Sequence, residues 1–84
     1  MKITKYASQS CVKCRLLDKI LSHLQINNYE NIYLEDVGME EIEKQGVMSF
    51  PTLVFEKNGK KEMLTGNILP QDITDMLEKM NNEG

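Results

Sequence analysis

Cys11-Val12-Lys13-Cys14 holds the only two cysteines of the chain, with two residues between them. Such a pair can exchange with another disulfide, bind a metal as half of a ligand set, or staple the fold. The staple gains least. Closing so short a loop removes unfolded-state entropy worth about 2 kcal/mol, against about 4.7 kcal/mol for a hundred-residue loop. Redox chemistry needs a thiolate, and a helix N-terminus favours one through its unpaired N–H groups and partial positive charge. The segments around the pair are therefore decisive.

Ile3 to Ala7 reads as a strand. Ser8-Gln9-Ser10 is a polar loop, with Ser10 as the expected helix cap. Val12, Leu16, Leu17, Ile20, Leu21 and Leu24 then recur at helical spacing, so they predict one buried face, with Asn27-Asn28 as the stop. The dithiol thus falls at a strand-to-helix junction. Ile32 to Val37 predicts a second strand, and Glu40 to Gln45 a short helix stopped by Gly46. Thr52 to Glu56 is nearly continuous in strand-favouring residues, as a central strand would be. Asn58-Gly59 predicts a tight hairpin returning over Lys60 to Thr65, broken by Gly66-Asn67. Leu69, Ile73, Met76, Leu77 and Met80 predict a last helix with Pro70 in its first turn, and a frayed tail from Asn81 to Gly84. The order β-α-β-α-β-β-α implies an α/β fold, a four-stranded mixed sheet flanked by three helices, in one domain over 1–84.

Bulk properties narrow the function. The 84 residues carry a net charge of −3 with both signs interspersed, and hydrophobic content of 40% beside 27% charged residues suits a soluble globule. No basic stripe suggests nucleic acid, and no apolar run suggests a signal peptide or membrane span. A cytoplasmic monomer is the expectation. There, a cysteine pair is more often catalytic or metal-binding than structural. Zinc in a structural site takes four ligands, and beyond the two thiols the chain offers a single histidine, His23. A bridged dimer with two cysteine pairs on one zinc remains the metal-binding alternative. An interaction module with an incidental dithiol is another.

The dithiol opening a helix, Gly46 to Leu53 with its Phe50-Pro51-Thr52 run, and the hairpin at Asn58-Gly59 together resemble the thioredoxin superfamily over nearly the whole chain. Asp36, taken as the end of the second strand, and Gly66 before the last helix extend the likeness. The length is nearer that of glutaredoxins. The resemblance implies a thiol–disulfide oxidoreductase that reduces protein disulfides, with Cys11 attacking and Cys14 resolving a mixed disulfide. It implies no cofactor beyond the Cys11–Cys14 couple itself, and no metal. Its expected partners are protein disulfides and an electron donor of the thioredoxin-reductase type. It further implies a cis bond between Phe50 and Pro51, and substrate contacts from Ser49, Phe50, Pro51 and Gly66.

Departures from the family matter as much. No tryptophan precedes Cys11, and Val12-Lys13 replaces the usual Gly-Pro. Lys5 stands where thioredoxins bury the acid that assists proton transfer at the second cysteine, which leaves water as the acceptor for Cys14. Glutaredoxins have a Gly-Gly pair where this chain has Gly66-Asn67, so glutathione binding has weak support. Small electron donors to ribonucleotide reductase are similar in length and give an alternative within the redox class. Two readings stand for Lys13: a cation that stabilises the Cys11 thiolate, or a solvated helix-rim lysine, and screening favours the second. Tyr6 either borders the thiols or is a partly buried strand residue with its hydroxyl in water. The methionines read as core or rim fillers, and His23 as a surface residue.

Overall fold

In a computed structural model, residues 1–82 are described. The centre of the molecule is β3, Thr52–Lys57, whose first residues are all buried. It pairs antiparallel with β1, Lys2–Ala7, on one side and with β4, Lys60–Thr65, on the other. β2, Glu30–Tyr33, adds in parallel to the free side of β1, giving the order β2-β1-β3-β4. The β3–β4 hairpin turns at Asn58 and Gly59, whose φ values of 52° and 81° are those a two-residue hairpin of this twist requires.

Side chains alternate across a strand, and the two faces acquire different covers. Leu53 and Phe55 of β3 pack with Leu17 and Leu21 of α1, Val12–His23, and with Ile73 and Met80 of α4, Pro70–Asn82. Val54 points the other way, into a smaller cluster with Tyr6, Ile42 and Val47. Ile42 comes from α3, Met39–Lys44. The same alternation puts Lys5 on the face of Ile3, the side covered by α1.

The sheet matches the expectation, but the helices number four among the described residues. The predicted strand over Ile32 to Val37 stops at Tyr33, and Leu34–Val37 forms a short helix, α2, that contains Asp36. The last β1–β2 partners are Ala7 and Tyr33. Beyond them β1 has become loop, so Leu34 onward has no neighbour to pair with. The backbone bonds locally instead, with the Gly38 N–H donating to the Leu34 carbonyl at 2.9 Å. Gly38, at φ 86°, separates α2 from α3 in a conformation that side chains disfavour.

Smaller differences lie at the helix ends and among the methionines. α1 ends before Asn27-Asn28: Gln25 adopts φ 62°, and the Ile26 N–H reaches back to the Leu21 carbonyl at 2.8 Å, a helix-terminating motif without glycine. Its buried line is Cys14, Leu17 and Leu21, while Val12 and Leu16 are exposed, because at about 100° per residue they fall on the opposite side of the helix. Met80 is a core residue, but Met48 is 81% exposed and fills nothing. α4 runs through Asn82, so Asn81 and Asn82 are helical, and Glu83 and Gly84 of the expected frayed tail lie outside the described residues.

Candidate active site at the dithiol

The cap of α1 is Cys11 itself, not Ser10. Its backbone is extended, at φ −88° and ψ 111°, and its Sγ accepts the Cys14 N–H at 3.1 Å. A cysteine sulfur thus takes the place of the usual capping oxygen. The first turn of α1 contains no acidic residue to oppose negative charge on that sulfur. Cys11 and Cys14 are joined in a disulfide with their Cα atoms 5.3 Å apart. Cys11 is half-buried, whereas Cys14 is 2% exposed. The two sulfurs are therefore unequal: one faces out at a helix terminus, and the other lies under it.

The loop leading into the dithiol is held from two sides. The Cys11 N–H donates to the Ser8 carbonyl at 3.1 Å, and Arg15 Nη1 donates to the Gln9 carbonyl at 3.2 Å. From α2, the Glu35 carboxylate accepts Ser8 Oγ at 2.9 Å and the Gln9 N–H at 3.1 Å. The Gln9 N–H, the backbone N–H of Glu35 and the Ser8 hydroxyl hold the Glu35 carboxyl below its ordinary value of 4.5. The unexpected helix α2 thus places a carboxylate on the active-site loop.

The Phe50–Pro51 peptide bond is cis. Its loop is tied to the end of β4: the Gly66 N–H donates to the Pro51 carbonyl at 3.0 Å, and Thr52 Oγ1 donates to the Ser49 carbonyl at 2.8 Å. The Ser49 and Thr65 hydroxyls are 2.7 Å apart. Pro51 and Gly66 share a small cleft of about 100 Å³ with Lys13, Leu16 and Leu69. Lys13 is exposed on this side of α1. The half-buried Phe50 packs against the Tyr6–Val54 cluster. Tyr6 is 8% exposed and belongs to that cluster, not to the pocket at Cys14. Burial raises the Tyr6 hydroxyl above its ordinary value, with Glu56 and Glu30 adding to the effect.

On the other side of Cys14 lies a group that the sequence reading did not assemble. An open pocket of about 290 Å³ is lined by Cys14, Lys5, Asp18, Arg15 and Tyr33, with Ser8 and Gln9 at its rim. Lys5 has no solvent exposure. Its Nζ donates to Asp18 Oδ1 at 2.6 Å and to Asn31 Oδ1 at 3.0 Å, and sits 5.9 Å from the centre of the Tyr33 ring. Tyr29 also donates to Asp18 Oδ1, at 2.9 Å. Burial and this bond push the Tyr29 hydroxyl up to about 12. Asp18 follows Cys14 by one helical turn, a spacing that puts both on one face. That spacing was the available signal. His23 lies exposed at the far end of α1. Among the described residues no three His, Cys, Asp or Glu side chains gather as a metal site, and no helix is long and apolar enough to cross a membrane.

No family model and no curated protein sequence matches the chain. Solved structures do. A thioredoxin of Schistosoma mansoni superposes with a TM-score of 0.76 at 18% identity, covering 93% of this chain and 76% of that one. A mutant thioredoxin from Halobacterium salinarum gives 0.77 at 20% identity, covering 93% and 72%. A Plasmodium falciparum thioredoxin gives 0.74 at 20% identity, covering 93% and 83%. At such identities the shared property is the architecture: the chain has the thioredoxin-like fold, with a C-x-x-C disulfide opening its first helix.

Proposed function

We propose that the protein is a thiol–disulfide oxidoreductase that reduces protein disulfides. The observation that carries this reading is the inequality of the two sulfurs. Cys11 caps α1 and takes a backbone N–H at 3.1 Å, while Cys14 is shielded beneath the same turn. A thiolate is the attacking species in exchange. The Cys11 thiolate attacks one sulfur of a target disulfide. That bond breaks, and the departing target thiolate takes up a proton. The Cys14 thiol loses its proton and attacks Cys11 Sγ, which releases the second target thiolate. The target gains two electrons and two protons, and the protein is left with its Cys11–Cys14 disulfide. An external dithiol reductant then resets the couple.

The cis-Pro51 loop, with Ser49 exposed and Phe50 half-buried before it, supports docking of an extended target segment beside Cys11, with Gly66 lining the same cleft as Pro51. In this reading the exposed side chains of Val12, Leu16 and Leu69 supply apolar contact around the thiols. The test is reduction of insulin with dithiothreitol as electron source. Catalysed precipitation of the insulin chains is expected from the wild-type protein and none from Cys11→Ser. Turnover that survives Cys11→Ser, or an inactive wild-type protein carrying stoichiometric zinc, contradicts the proposal.

A further inference from the structure

Cys14 must lose its proton in a buried place, and the groups around it decide how. Its pocket presents Lys5 from β1, Arg15 and Asp18 from α1, and Tyr33 from β2. Behind these stand Tyr29 and Asn31, and Glu35 of α2 is engaged with Ser8 and Gln9 at the rim. Arg15 is exposed, so water screens its charge. The Lys5 ammonium is not screened in this way, having no solvent exposure. Tyr29, pushed up to about 12, stays a neutral donor to Asp18. Among the described residues Asp18 is the single carboxylate lining the pocket, and two donors already occupy its Oδ1.

We propose that Lys5 is an electrostatic positioning residue for the resolving step: its buried ammonium stabilises the Cys14 thiolate, and Asp18 anchors and partly neutralises that ammonium. This rests on the oxidoreductase reading above. A nearby opposite charge offsets the desolvation that otherwise holds a buried thiol protonated. The proton leaves through the open pocket to water, and Asp18 is not its acceptor. The device is the reverse of a buried base. The site lowers the cost of the thiolate instead of receiving its proton.

The two schemes predict opposite signs. If Asp18 received the proton, Asp18→Asn would slow the resolving step, since a positioned base contributes about 10²- to 10⁴-fold. If Asp18 restrains Lys5, the same change removes a negative charge near Cys14, while the new amide oxygen, Asn31 and the Tyr33 face still hold the ammonium, so the step quickens. Dithiobisnitrobenzoate separates the steps. The reduced protein releases one coloured thiolate when Cys11 attacks the reagent and a second when Cys14 displaces it, and both are followed against pH. In Asp18→Asn the second release is expected to have a lower pH midpoint and to be faster at neutral pH. In Lys5→Met it is expected to be at least about tenfold slower at neutral pH, with a higher midpoint and an unchanged first release. A slower or unmoved second release in Asp18→Asn overturns the proposal, and it does so even if Lys5→Met fails to fold. A wild-type protein that releases a single thiolate contradicts the oxidoreductase reading itself, whereas two releases with unmoved midpoints in both variants contradict Lys5's role alone.

Discussion

Lys5 keeps its ammonium inside the protein because three acceptor surfaces meet it there: the Asp18 carboxylate, the Asn31 amide oxygen and the face of Tyr33. Burying an ammonium without such partners would cost several kcal/mol. Its four-carbon stem also packs under α1, as long cationic side chains do. Removing one member of a buried pair exposes the cost that the other was offsetting. Asp18 retains 39% side-chain exposure, so water takes over part of its solvation. Lys5→Ala is therefore expected to destabilise the fold by about 2–4 kcal/mol, through lost stem packing and the broken pair. Urea unfolding measures it, and a change below about 0.5 kcal/mol, the range of ordinary surface substitutions, would show that the pair contributes little. The Cys11–Cys14 pair was readable because its meaning lies in local spacing. The Lys5–Asp18 pair was not, since a strand and a helix thirteen residues apart supply it. Lysine in a strand looks solvent-facing until the covering helix is known.

At the scale of elements, α2 is the part that periodicity misread. Leu34-Glu35-Asp36-Val37 follows a true strand without a break in pattern. What ends β2 is the absence of a partner beyond Ala7, which no local pattern encodes. The larger elements were legible because their signals are strong: the apolar run of β3, the Asn58-Gly59 turn and the spacing of α1 and α4. The consequence of α2 is Glu35, clasped to Ser8 and Gln9. Its folded carboxyl lies below 4.5, so the clasp's contribution is fully present above that value and is lost as pH falls through the folded value. The Gln9 amide resonance is expected to titrate with a midpoint below 4.5, and to lose that titration in Glu35→Gln. A midpoint at or above 4.5 in the wild-type protein would contradict the clasp.

At the scale of the whole molecule, the sheet is a frame with two covered faces and one working end. Leu53 and Phe55 fix α1 against the sheet, and Val54 fixes the Val47 side that leads into the Pro51 loop. These packings bring together a helix terminus, a tethered proline loop and a buried cation from distant parts of the chain. The placement of Cys11 outward and Cys14 inward follows from that frame, because α1 buries the line from Cys14 through Leu17 to Leu21. The division of labour between the sulfurs is the central claim, and trapping tests it most directly. Reduced Cys14→Ser and Cys11→Ser proteins are each mixed with native insulin, quenched in acid, and mapped by peptide mass spectrometry. Cys14→Ser is expected to accumulate a mixed disulfide between Cys11 and an insulin cysteine, and Cys11→Ser to form none on the same timescale. Equal trapping by both variants, or trapping through Cys14 alone, would contradict the account.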